Sequence, residues 1–318
     1  MNFSDIHQIP AKTIISSRIP DDNGWFGSSY NMNIYKGCSH GCIYCDSRSE
    51  CYQIRDFDNE KPKENALAVI DADLCRKRKS GIIITGSMSD PYNPLEKELE
   101  LTRGALKLIA KHGFGVVILT KSDLVLRDIE LLKEIQKNAP AVVNITITCA
   151  DDELCAKIER HVCPSSARFK ALEKLSSAGI PCGVLLMPIL PFINDTEENI
   201  SAIVRKTAQS GAKWLSVYPG FGVTLRQNQR EHFFARLDEF FPNVSELYAK
   251  TFGNSYGCES PYSERLWEVF KRECRGDRRS ALWSPEAGHH TGRPLLYSME
   301  KIVALIKEPY KTEQITLL

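Results

Sequence analysis

Six times between Asn31 and Phe241 a short run of apolar and β-branched residues is followed by a stretch carrying helix signals, and this alternation restricts the chain more than any other feature. Strands separated by helices cannot pair through tight hairpins. They pair in parallel, with each helix as a crossover. The strand-like runs are Met32–Tyr35, Ile82–Thr85, Val116–Thr120, Val142–Thr148, Gly183–Met187 and Trp214–Tyr218. Local chemistry marks the helix ends. Asn93, Pro94 and Glu96 read as an N-cap, a first-turn proline and a capping-box acid, and Asp195 with Glu198 repeats the box. After residues 166–178, Gly179 is a C-cap and Pro181 prevents continuation. Six consecutive βα units without a doubly wound signature predict an α/β fold of the partial (β/α)6 TIM type, and a flat α/β sheet is the alternative.

Residues 1–30 form a lead-in segment, residues 31–244 the barrel core, and residues 245–318 a small C-terminal helical extension, which loses the alternation and is expected to pack on the core. The segment Gly288-His289-His290-Thr291-Gly292 belongs to that extension. Within the 318 residues, 41 lysines and arginines balance 40 acids, for a net charge of +1. No global field therefore draws the protein to nucleic acid or anionic lipid. The basic run Arg76-Lys77-Arg78-Lys79 ends a helix, where cations complement the dipole. No stretch reaches the roughly 18 apolar residues of a membrane helix, and MNFSDIHQIPAKTIISS lacks the apolar run of a signal peptide. The expected setting is the cytoplasm, and the expected state is a monomer without membrane contact.

Eleven cysteines are too sparse for a disulfide scaffold and read as thiols or metal ligands. Cys38, Cys42 and Cys45 form the one tight group, directly after the first strand, in a loop that Gly37 and Gly41 allow to curl. Three thiolates suit a [4Fe-4S] cube with one iron left without a protein ligand. A zinc site is the competing metal reading, but it needs a fourth ligand, and His40 inside the loop would be strained in reaching it. Polar residues crowd the ends of the later strands, where a barrel places its active site: Gly86, Ser87, Ser89 and Asp90; Lys121 and Ser122; Thr146 and Thr148; Asn194 and Asp195. Gly86 lets the backbone approach a ligand, Ser87 or Asp90 can accept from an ammonium group, and Lys121 offers a point charge for a carboxylate. Turn formation and capping account equally well for Ser89, Ser122 and Asp195.

The cysteine spacing, with the aromatic Tyr44 before its last member, resembles that of radical S-adenosylmethionine enzymes. Within that superfamily Ile83 to Pro94 (IITGSMSDPYNP), Leu119 to Asp128 (LTKSDLVLRD) and Glu159 to Arg168 look like the spore photoproduct lyase group, also described as DNA repair photolyase-like. The resemblance implies a [4Fe-4S] cluster on Cys38, Cys42 and Cys45 and S-adenosylmethionine bound to its open iron. It also implies reductive cleavage to a 5′-deoxyadenosyl radical, and a one-electron donor such as flavodoxin or ferredoxin. Lys121 and Thr146 match positions that touch S-adenosylmethionine, and Tyr44 either lies beside the adenine or shields the cluster. Arg127-Asp128 is expected to fix the neighbouring helix. The resemblance breaks where spore photoproduct lyases carry a hydrogen-donating cysteine, since Gly86-Ser87-Met88-Ser89-Asp90 has none, and Asp46 stands where they carry a tyrosine. The expected function is thus a photolyase-like radical enzyme of unassigned substrate, with no side chain assigned to catalysis itself. A radical enzyme acting on RNA, a peptide or a metabolite is the second reading, and a non-catalytic iron-sulfur carrier, sensor or zinc-stabilised binding protein the third. Cys149, after the fourth strand, is a candidate replacement thiol.

Overall fold

The apolar runs assemble into one seven-stranded sheet in the computed structural model of the chain, which describes residues 7–18, 25–276, 283–284, 289–290 and 294–310. Its strands are β1 (Ile15–Ser17), β2 (Tyr30–Met32), β3 (Ile82–Thr85), β4 (Gly115–Thr120), β5 (Ala141–Thr146), β6 (Cys182–Leu185) and β7 (Trp214–Ser216). Every neighbouring pair from β2 to β7 is parallel, and β1 adds to β2 antiparallel. The strands lie side by side in chain order without the reversal of a doubly wound sheet, and the two edges do not pair. That is a partial TIM-type barrel.

Burial on both faces explains the continuous apolar runs. Ile83, Val116, Ile118, Val143 and Val184 pack outward against residues of the surrounding helices, such as Leu106, Leu132, Leu172 and Ile203. The alternate residues Ile84, Val117, Leu119, Val142 and Leu185 face inward with Trp214 and Phe26. The helix Met299–Lys307 adds Ile302 and Ile306 to this inner cluster, and Leu296 bridges to Trp214 beside β7. The open side of the sheet is therefore covered by the chain's own C-terminal residues. The helix Ser263–Arg275 packs against Glu197–Gln209, and Gly257–Glu259 pairs antiparallel with Gly222–Thr224. Gly288, Thr291 and Gly292 lie outside the described residues. Among those described, no helix is long and apolar enough to cross a membrane.

Several local expectations shift. The first strand pairs at Tyr30–Met32, and Tyr35–Lys36 instead pairs with Lys61–Pro62. Residues 15–17 and 30, expected in the lead-in, belong to the sheet. Glu96 does not close a capping box with Asn93. Its carboxylate turns forward to accept from Thr102 N at 2.9 Å and pairs with Arg127 at 2.9 Å, so it caps the next helix, Leu101–Lys111. At the helix Glu197–Gln209, Thr196, not Asp195, is the N-cap, accepting from Asn199 N at 3.1 Å, while Asp195 accepts from Ser260.

Candidate active site at the strand C-termini

The Cys38–Cys45 loop is pinned at both ends. Cys38 N donates to Phe57 O at 2.7 Å, and Ile43 N donates to Ile158 O at 3.0 Å. Cys42 bridges to Glu159. Gly41, at φ +66°, passes so near His161 that a Cβ would sit 2.8 Å from its ring. Beneath the loop lies a buried polar knot. Tyr44 donates its hydroxyl to Glu159, and Arg168 pairs with the same carboxylate while donating to Thr146 O at 3.0 Å and Cys163 O at 2.9 Å. Burial alone would raise the Glu159 carboxyl, but the charges of Arg168 and Lys121 outweigh it and hold it below the usual range. The knot orients Tyr44 and ties the cysteine loop to the end of β5.

Cys38, Cys42 and Cys45 all line one cavity of about 580 Å³, with Tyr44, Gly86, Ser87, Ser89, Asp90, Lys121 and Thr146. Burial pushes the Cys38 thiol up to about 12, and it raises Cys42 and Cys45 as well. A thiolate at any of them requires a cationic partner such as a metal ion. A single zinc ion would hold thiolates about 3.8 Å apart, from Zn–S bonds of about 2.3 Å in a tetrahedron. Among the described residues, the only trio of such donors within 4.8 Å of one another is Asp71, Cys75 and His112. The three thiols of the loop are therefore spread wider than one ion demands, as suits a polynuclear cluster.

The facing wall fits a polar cosubstrate. Gly86 has φ +97°, and a Cβ there would overlap the Leu119 carbonyl, so only glycine lets the 86–90 loop cross β4. Ser89 is 7% exposed and its Oγ is buried with no hydrogen-bond partner, an orphan on the cavity wall. Such an atom is costly unless a ligand satisfies it. Asp90 serves mainly as frame: it accepts from Thr120 Oγ1 at 2.7 Å, Lys121 N at 2.7 Å and Tyr92 N at 2.9 Å, with His40 Nδ1 at 3.5 Å. The Lys121 ammonium lies 5.7 Å from the Tyr44 ring centroid. Burial opposes its charge, but Cys42 when ionised, together with Glu159 and Asp90, outweighs this and keeps Lys121 protonated.

Thr148 is not brought to the cavity. The strand ends at Thr146, and the Thr148 carbonyl accepts from Asn194 and Asn199, each at 2.9 Å. Cys149 also lies off the cavity wall, its sulfur 3.6 Å from Asn194 Nδ2. Ser122 caps the turn after β4 by accepting from Leu124 N. Sequence reasoning missed a further set of lining residues: Trp25, Asp46, Tyr52, Met88, Met187, Tyr218 and Glu259. Asp46 accepts from Arg226 at 2.9 Å and Tyr52 at 3.0 Å, joining the cysteine loop to the segment after Gly222–Thr224. The position of Asp46 directly after Cys45 was its only signal.

The radical SAM superfamily model matches residues 32–203. A Mycobacterium tuberculosis protein described as uncharacterized is 29% identical over 270 residues, covering 81% of this chain and 78% of its own. An uncharacterized Methanocaldococcus jannaschii protein is 36% identical over 197 residues, 61% of this chain and 71% of its own. Among solved structures, spore photoproduct lyase complexed with dinucleoside spore photoproduct superposes with a TM-score of 0.54 at 16% identity, over 77% of this chain and 73% of that one. The radical S-adenosylmethionine methyltransferase TsrM from Kitasatospora setae, with cobalamin and a [4Fe-4S] cluster bound, gives 0.53 at 12% identity, over 88% and 57%. At these identities the two structures speak for the fold.

Proposed function

Because the chain belongs to the radical SAM superfamily, whose [4Fe-4S] cluster and S-adenosylmethionine are its cofactors, we propose that it is a photolyase-like radical enzyme abstracting hydrogen from a substrate in the cavity described above. The observation that carries this reading is one cavity lined by three thiols, the aromatic Tyr44, the Lys121 cation and the unpartnered Ser89 hydroxyl. When bound, the reduced cluster and S-adenosylmethionine supply a 5′-deoxyadenosyl radical. Cys38, Cys42 and Cys45 hold three irons. Ser87 and Ser89 bind the methionine amino and carboxylate groups with Lys121 as countercharge, and Tyr44 flanks the adenosyl group. Asp90 keeps the 86–90 loop and the end of β4 in register. Leu119, Leu185, Met187, Phe221 and Val223 line the wall and exclude water from the reacting carbon. The substrate occupies the part bounded by Met88, Met187, Tyr218 and Glu259, and electrons arrive from a flavodoxin- or ferredoxin-type donor.

The test is anaerobic reconstitution followed by dithionite and S-adenosylmethionine. Wild-type protein should release 5′-deoxyadenosine without added substrate, and Cys38→Ala, Cys42→Ala and Cys45→Ala should each lose iron and release none. Fully loaded wild-type protein that forms no 5′-deoxyadenosine would leave an electron carrier or sensor as the function.

A further inference from the structure

A second set of donors lies outside the barrel. The helix Ala66–Arg76 presents Asp71 and Cys75 one turn apart on the same face. The helix Leu101–Lys111 packs against it, and His112, the residue at its C-terminal end, reaches across with Nε2 2.7 Å from Asp71 Oδ1. One donor atom from each of the three lies within 4.8 Å of the others, and none of the three lines the active-site cavity. We propose that Asp71, Cys75 and His112 bind a zinc ion that clamps the two outer helices flanking β3.

Three observations favour this assignment. A tetrahedral zinc ion with bonds of about 2.0–2.3 Å sets its donors about 3.3–3.8 Å apart. Reaching that spacing moves the outermost atom about 1 Å and opens the His112–Asp71 contact slightly, within side-chain rotation of an exposed Cys75 and a half-buried Asp71. Asp71 and Cys75 stand on helical backbone and His112 is the C-cap of the packed helix, so the ligands start near their bound positions. The mixed nitrogen, sulfur and oxygen set suits a borderline ion such as zinc, where magnesium or calcium would call for oxygen alone.

The site is also electrostatically ready. The Asp71 carboxylate already takes His112 Nε2 at 2.7 Å and Lys111 Nζ at 3.3 Å on one oxygen, so that oxygen faces proton-donating partners. The Lys111 ammonium, 3.3 Å from the same oxygen, is the charge that zinc displaces, and at 64% exposure it swings freely into solvent. Binding breaks the Cys75 S–H bond and sends that proton to solvent, moves the His112 proton from Nε2 to Nδ1 through solvent, and forms zinc–thiolate and zinc–imidazole bonds without redox change. The fourth position stays open to water.

The test uses cluster-loaded holoenzyme under anaerobic conditions, so that Cys38, Cys42 and Cys45 are already occupied. Iodoacetamide labelling of Cys75 is followed by peptide mass spectrometry as zinc chloride is added, with Cys51, also exposed, as the internal reference. Low-micromolar zinc should protect Cys75 and leave Cys51 reactive, and His112→Ala or Asp71→Asn should raise the protecting concentration by about tenfold or more. Equilibrium dialysis should give one zinc per chain for wild type and none for Cys75→Ser. Unprotected Cys75, protection that survives His112→Ala, or equal zinc content in Cys75→Ser would each overturn the proposal and leave adventitious thiol binding.

Discussion

Replacing Gly86 by alanine tests whether the proposed cosubstrate wall depends on one backbone crossing. Two costs add. A Cβ at φ +97° costs about 1–2 kcal/mol in backbone strain. Its overlap with the Leu119 carbonyl, whose carbon would lie 2.8 Å away, demands a shift of either the loop or β4, which overpacked sites price at about 1–3 kcal/mol. The sum is about 2–5 kcal/mol. For 318 residues the unfolding entropy is about 0.7 kcal/mol/K, so Tm of the apoprotein should fall by about 3–7 °C. Gly179 provides the control, because it has φ +82° but nothing within 4 Å of an added Cβ, and Gly179→Ala should show the strain cost alone, about 2 °C. Thermal unfolding, iron content and an S-adenosylmethionine titration are measured on both variants. Gly86→Ala should keep its iron, since the cysteines sit on another loop, and lose affinity, since Ser87 and Ser89 move. If Gly86→Ala is no less stable than Gly179→Ala and binds cosubstrate normally, the crossing does not position the wall.

Lys121→Ala should weaken S-adenosylmethionine binding by about 10–100-fold, the value of a charged hydrogen bond, with iron content unchanged, and an unaltered titration would return Lys121 to a structural role. Glu159→Ala leaves Arg168 charged and buried without its partner and should destabilise by about 3–5 kcal/mol in chemical denaturation, whereas a loss under 1 kcal/mol would show that the knot is dispensable. His232 is half-buried, and burial, with the Arg48 and Arg236 charges against only Asp58, lowers its pKa to about 4. The unfolded chain therefore binds this proton first as pH falls below about 6.5, and stability is lost between there and about 4. His232→Gln should match wild type near pH 7.5 and exceed it by about 1 kcal/mol at pH 5 after allowance for solvent screening, and parallel pH profiles would refute the assignment. The protein should cleave its cosubstrate yet not convert dinucleotide spore photoproduct to two thymines, because the 86–90 loop offers no S–H, the Cys149 thiol lies off the cavity, and Cys258, which does line it, is 1% exposed with its sulfur directed at Ser255 O at 3.8 Å. Clean catalytic release of thymine, followed by chromatography, would falsify this.

The barrel was readable because parallel strands buried on both faces are written as unbroken apolar runs, and the helices between them leave few ways to connect. What escaped were features fixed by distant partners. β1 is three residues long with only Ile15 buried, and it is held by the Asp73 carboxylate, which accepts from Ile14 N at 2.7 Å and Ile15 N at 2.9 Å. Nothing within residues 15–17 announces that contact. Glu96 looked like a capping-box acid because the box is a local pattern, but a half-buried Arg127 and the next helix competed for the same buried carboxylate and won. The pairing of Gly222–Thr224 with Gly257–Glu259 joins segments more than thirty residues apart, so the wall that brings Glu259 to the cavity had no sequence signature.

Strand parity explains which site residues could be read and which could not. Side chains alternate along a strand, so the residue two beyond the last inward one faces the same way and, at a barrel's upper rim, faces the cavity. Ile82 and Ile84 point inward and Gly86 follows; Val117 and Leu119 point inward and Lys121 follows; Val142 and Asn144 are succeeded by Thr146. Each of these three lines the cavity. The same step from Thr146 to Thr148 fails because β5 has ended: once the chain leaves the ladder, two residues no longer restore orientation, and Asn194 and Asn199 bind the Thr148 carbonyl instead. Parity is thus dependable only up to the strand end: beyond it Met187, two residues after the inward Leu185, still lines the cavity, whereas Thr148 does not. Much of the rest of this cavity comes from elements that parity does not reach. Met88, Tyr218 and Glu259, which we propose face the substrate, stand on loops and on a distant hairpin, so barrel strands of this pattern can keep the proposed cofactor wall while the loops change what is bound opposite it.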